Sequence, residues 1–142
     1  MPNSGGMSML GIGVGGSDAV DAMAGMPWEL MCPHVAGVRL TGRLYGWAST
    51  KDIICKLAGI PSVFGRKGKV LEFFDPGTKT LGATAMATVC NMSAEIRSTS
   101  CVFSYTEATY RYLSEKEREG IAYFANGYND VLLTADEGSE KY

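Results

Sequence analysis

The sequence predicts an α/β fold, layered, with a largely parallel sheet and flanking helices. Three observations carry this expectation. Val35-Ala-Gly-Val38-Arg-Leu40 alternates with the period of a half-buried strand, and Val70-Leu-Glu-Phe-Phe74 reads as another. Ser49 or Thr50 can cap a helix whose apolar face carries Ile53, Ile54, Leu57 and Ala58, and Gly59 ends it. A longer helical stretch, from about Thr84 to Ile96, leads into a short apolar strand, Ser100 to Phe103. Strands that alternate with helices pair in parallel, because each helix supplies a crossover.

A chain of 142 residues suits one domain and can bury a real core. Residues 1–142 are therefore read as a single α/β domain, with 133–142 a frayed polar tail. Net charge is −2, so no electrostatic pull favours nucleic acid or an anionic membrane. No apolar run reaches membrane-spanning length. The opening Met-Pro-Asn-Ser-Gly-Gly lacks the basic and apolar regions of a secretory signal, and no Arg-rich transit peptide is visible. Cys32, Cys55, Cys90 and Cys101 lie far apart, with no Cys-x-x-Cys among them. They read as reduced, mostly buried thiols of an intracellular protein rather than as metal ligands.

Taken in order, the chain begins with a decoy. Gly11, Gly13 and Gly16 satisfy the Gly-x-Gly-x-x-Gly dinucleotide fingerprint, and Ser17 is a good N-cap for a following helix. Met7 to Leu10 are too few and too mixed for the strand that this fingerprint needs, so a nucleotide site is rejected. The glycines are expected to let the loop pass close to a neighbouring wall or helix. His34, the only histidine, stands beside Pro33 without an acid or thiol partner and reads as a surface residue. Gly65 to Lys69 is a solvated turn, and Asp75-Pro-Gly77 another. After the strand at Ser100, a helix is expected over Glu107–Leu113. Ser114 is expected to cap a second, Glu115–Asn126, whose Ile121, Phe124 and Ala125 face the core.

The chemistry-bearing stretch is Leu81 to Tyr105. It opens with small residues, which only tight packing rewards, and then sets Asn91 and Glu95 at i and i+4. That spacing puts a carboxamide and a carboxylate on one face of a helix, one turn apart. Burying such a pair is costly unless both are hydrogen-bonded, so it is either a structural bridge, a capped helix end or part of a polar site.

The run Met-Ala-Thr-Val-Cys-Asn-Met-Ser-Ala-Glu-Ile, followed by Cys101-Val-Phe103, resembles the aconitase family, mitochondrial type. So do Gly-Ile-Gly-Val-Gly-Gly-Ser-Asp-Ala-Val-Asp-Ala-Met-Ala-Gly, Pro-Trp-Glu-Leu, Leu-Thr-Gly-Arg-Leu-Tyr-Gly-Trp and Ser49-Thr-Lys-Asp52. The resemblance covers nearly the whole chain, which is similar to an internal piece of the family's amino-terminal half. In the family, an Asp-Ser-His-Thr motif directly precedes the glycine-rich start, and Met1 stands where its threonine would be.

The resemblance implies a hydro-lyase that isomerises citrate to isocitrate through cis-aconitate, using an open iron of a [4Fe-4S] cluster. It implies that Asn91 lies near the cluster and that Glu95 belongs to the catalytic hydrogen-bond network. It also implies a tricarboxylic acid substrate, a mitochondrial setting and, as partners, the missing aconitase domains. The cluster cysteines, serine base, catalytic histidines and carboxylate-binding arginines belong to family regions absent here. The expectation is therefore that this chain alone binds no cluster and is inactive. Two further readings stay open: a truncated or repurposed paralogue serving a specialised, secondary-metabolite pathway, and a non-catalytic α/β binding module. Ser93 and Arg97 stand where the family usually has glycine, so a close backbone approach or a positive φ is expected there.

Overall fold

The computed structural model describes residues 2–60 and 68–129. Three parallel strands, β1 (His34–Arg39), β2 (Lys69–Phe74) and β3 (Ser100–Phe103), form a sheet in that order. The register pairs Val38 with Phe73 and Phe73 with Phe103. Helices make both crossovers, as parallel pairing requires. From β1 the chain passes through α2 (Thr50–Ala58) to β2, then through α3 (Ala83–Asn91) to β3. Ahead of the sheet stand a 3-10 turn, Pro2–Met7, and α1 (Gly16–Met23). After it come α4 (Glu107–Glu115) and α5 (Glu119–Gly127).

One core joins the sheet to α2 and α3. Leu71 and Phe73 of β2 and Cys101 and Phe103 of β3 point to the same face and meet Ile54, Leu57, Met86 and Val89. The rings of Phe73 and Phe103 stack at 4.5 Å between centroids and 7° between planes. Fully burying side chains of this size contributes roughly 1.5–3 kcal/mol each. α2 starts as its sequence suggests. The Asp52 carboxylate accepts hydrogen bonds from the Ser49 N–H at 2.7 Å and from its hydroxyl at 3.0 Å. These bonds, the backbone one foremost, hold the Asp52 carboxyl below its ordinary pKa.

The small residues of α3 have a steric reason. The Pro2–Met7 turn lies against α3 and β3, and a Cβ on Gly6 would sit 2.4 Å from the Ala87 amide nitrogen. A Cβ on Gly5 would fall 1.9 Å from the Cys101 carbonyl oxygen and 2.9 Å from the Cys90 sulfur. The close approach is thus made by Gly5 and Gly6, not by Gly13 or Gly16. Gly13 and Gly16 have open space around their α-carbons. A 3-10 turn, not a strand, precedes that loop.

Several expectations need correction. Gly15, not Ser17, is the N-cap of α1. The α-helix expected to Ile96 stops at Asn91, and Met92–Ile96 tightens to 3-10 geometry. Ser114 caps nothing. It lies inside α4, where its hydroxyl satisfies the Tyr110 carbonyl at 3.1 Å, and α5 begins only at Glu119. On α5 the inward residue is Ala122, whereas Ile121 and Phe124 face outward. The thiols divide evenly, with Cys90 and Cys101 buried and Cys32 and Cys55 exposed. His34 is exposed at the start of β1. The tail beyond residue 129 and most of the Gly65–Lys69 turn lie outside the described residues.

Gly5→Ala is expected to lower stability by about 1–3 kcal/mol, because backbone rather than a flexible side chain blocks the new methyl. Urea unfolding of the 142-residue chain checks this, and an unchanged midpoint would mean that the Pro2–Met7 turn does not pack on β3.

Candidate functional site

The candidate site is the corner where α3 gives way to β3. Across α3, Met86, Val89 and Cys90 turn inward with helical spacing, which leaves Thr88 and Asn91 outward. The next turn buries Ser93 and Ile96, three apart as 3-10 geometry dictates, and exposes Ala94 and Glu95. Asn91 and Glu95 are therefore both exposed at one corner. They do not share a single α-helical face. Four residues advance about 400° in an α-helix but about 480° in a 3-10 helix, so Glu95 swings round the axis from Asn91.

Ser93 and Arg97 shape this corner. The Ser93 hydroxyl donates to the Cys90 carbonyl at 2.7 Å, and the Ser93 carbonyl accepts from the Ser98 hydroxyl at 2.9 Å. Arg97 holds a left-handed backbone, φ 61° and ψ 25°, and its N–H donates to the Ala94 carbonyl at 2.9 Å. This reversal ends the turn and sends the chain to Thr99, whose N–H donates to the Lys69 carbonyl at 2.8 Å and opens β3. A left-handed conformation is costly for any residue with a Cβ, and glycine avoids that cost.

The corner sits at the amino-terminal edge of the sheet, where His34, Lys69 and Ser100 begin their strands. The Ser100 hydroxyl donates to the Gly11 carbonyl at 2.6 Å and draws the glycine-rich loop to the same edge. Ligands of open parallel sheets usually sit outside the opposite, carboxyl edge.

Sequence reasoning overlooked that opposite edge. Arg39 forms an ion pair with Asp75 there, across the ends of β1 and β2. Asp75 adopts φ 81° and ψ 174°, a conformation almost confined to glycine. The available signal was the Asp75-Pro-Gly turn itself. Nearby, Lys79, Tyr105, Glu107 and Asn126 line an open pocket of about 340 Å³.

The thiols do not fit a [4Fe-4S] cluster. Such a cluster needs convergent thiolates. Cys90 and Cys101 are buried, with the Cys90 thiol 3.7 Å from the Cys101 carbonyl. Hydrogen bonding with Cys101, and then burial, push the Cys90 thiol well above its ordinary pKa and so away from the thiolate. Cys32 and Cys55 are exposed. Among the described residues no three His, Cys, Asp or Glu side chains are grouped to hold a metal. Among them, too, no helix is long and apolar enough to cross a membrane.

A three-stranded parallel sheet flanked by helices, with an exposed asparagine–glutamate corner before its last strand, defines a layered α/β segment. The model of the aconitase family (aconitate hydratase) matches residues 1–140, and the chain belongs to that family. It is 54% identical over 138 residues to a probable mitochondrial aconitate hydratase of Caenorhabditis elegans, which covers 97% of this chain and 18% of that protein. The mitochondrial aconitate hydratase of Saccharomyces cerevisiae is 52% identical over 139 residues, 98% of this chain and 18% of its own length. The mitochondrial homocitrate dehydratase of the same yeast is 51% identical over 143 residues, with the same two shares. The chain thus spans under a fifth of the length of the curated relatives it matches.

At Arg97, glycine is expected to be better than alanine by about 1 kcal/mol, the reverse of their order inside a helix. Comparing urea midpoints of Arg97→Gly and Arg97→Ala checks this cleanly, since both remove the same side-chain contacts. Equal midpoints would mean that the corner relaxes out of the left-handed conformation.

Proposed function

We propose that this chain is the portion of an aconitase-type hydro-lyase that carries the asparagine–glutamate corner, and that it works on a tricarboxylic acid only with the rest of such a polypeptide. The observation that carries this reading is the family match through Asn-Met-Ser-Ala-Glu-Ile, with Asn91 and Glu95 both exposed at the corner. Removing water from such a substrate needs a Lewis acid for the leaving hydroxyl and a base for the neighbouring C–H. Among the described residues no three His, Cys, Asp or Glu side chains are grouped to hold that Lewis acid.

The role left for Glu95 is to hold a hydrogen-bond partner in the catalytic network, and that for Asn91 is to lie beside the cluster. Both roles need a group brought from outside the chain. The single-domain reading of residues 1–142 and the mitochondrial setting are part of this proposal, supported by the family match and by the relatives' names. Likeness to a homocitrate dehydratase favours a second reading, a paralogue for a longer tricarboxylic acid. The non-glycine residues Ser93 and Arg97 are compatible with it.

Alone, the chain is expected to take up no cluster on anaerobic iron–sulfur reconstitution and to show no turnover in a coupled isocitrate assay. Built into the yeast aconitate hydratase in place of the matching segment, it is expected to restore activity. There Glu95→Gln should lower kcat by about 10²-fold or more with cluster absorbance unchanged. A chimera indifferent to Glu95→Gln would overturn the assignment. Turnover on homocitrate but not on citrate would select the second reading.

A further inference from the structure

Cys90 and Cys101 bracket the candidate corner. Cys90 is the residue before Asn91 near the end of α3, and Cys101 follows Ser100 at the start of β3. Asn91, Glu95 and the reversal at Arg97 all lie between them. Both side chains are fully buried and belong to one core cluster. The Cys90 sulfur stands 3.7 Å from the Cys101 carbonyl oxygen, and the two thiols hydrogen-bond to each other. A Cβ on Gly5 would touch both residues at once, at 2.9 Å from that sulfur and 1.9 Å from that oxygen.

We propose that Cys90 and Cys101 form a reversible disulfide, a covalent modification site whose co-reactant is a small disulfide of the oxidised-glutathione class. Closing it ties α3 to β3 and makes the corner a short covalent loop. The step balances as two successive thiol–disulfide exchanges. While helix and strand are briefly parted, one cysteine thiolate attacks oxidised glutathione and forms a mixed disulfide. One glutathione thiolate leaves and takes up, from solvent, the proton that this cysteine gave away. When the seam closes, the second cysteine sulfur attacks the first, and the second glutathione departs with the attacking thiol's proton. Two protein thiols are oxidised, and one glutathione disulfide is reduced to two thiols.

In the closed fold, hydrogen bonding and burial keep Cys90 protonated, so exchange starts only from the parted state. The product is favoured all the same, because the fold already holds the two residues together and so removes much of the entropy cost of joining them. This inference does not rest on the proposed function, since its readout is the bond itself.

The test uses the 142-residue chain, with the exposed Cys32 and Cys55 first capped by a brief pulse of iodoacetamide. The chain is equilibrated with mixtures of reduced and oxidised glutathione, quenched in acid, digested and weighed. A linked Cys90–Cys101 peptide pair is expected, with an effective concentration about tenfold or more above that of the same chain in denaturing urea. Amide exchange over residues 91–99 should slow about tenfold or more on oxidation. Equal effective concentrations in buffer and in urea overturn the proposal, as do thiols that stay free or stop at the mixed disulfide. Unchanged exchange at the corner overturns it as well. If capping unfolds the chain, Cys32→Ser with Cys55→Ser takes its place, and the same outcomes decide.

Discussion

Everything in this fold depends on how closely helix α3 is held. On one side it lies on the stacked Phe73 and Phe103, and on the other it meets the bare backbone of Gly5 and Gly6. Interiors packed to crystal density leave no room for adjustment, so the identity of each small residue is a steric requirement rather than a preference. The clamp fixes where α3 ends, and the end of α3 fixes where Asn91 and Glu95 emerge. A methyl group at Gly5 would press on Cys101 and Cys90 and so disturb the candidate corner without touching it.

The fold was legible where burial and periodicity coincide within the chain itself. β1, β2, β3 and α2 stand close to their expected positions because their apolar faces meet one another. Legibility failed where packing does not decide. Ser17 and Ser114 are sound capping residues by type, but the backbone starts α1 at Gly15 and carries α4 past Ser114. On α5, spacing alone picked Ile121 and Phe124, whereas the contact beneath it is shallow and admits only Ala122. A small inward residue on a large-residue helix leaves no trace in a hydrophobic pattern.

The candidate corner was half legible. Its two polar residues are exposed together, yet the helix tightens just between them. Propensity does not announce this change. What announces it is the need to bury Ser93 and Ile96 together, three residues apart, and then to reverse the chain at Arg97. The resemblance, with its glycines at those two positions, carried the better clue. An arginine in a left-handed backbone shows that the turn outlasts the residue type that suits it, since the surrounding strand start and the Ser93 bonds over-determine the path.

The distribution of thiols gives the molecule a built-in gauge of its own opening. Cys32 and Cys55 meet solvent directly, and any alkylating reagent finds them at once. Cys90 and Cys101 straddle the seam between α3 and β3 behind Gly5, and Cys90 is further held in the unreactive protonated form. A reagent can reach that pair only when helix and strand part. Its slow phase therefore times the rupture of the central seam, while the fast phase reports nothing about folding.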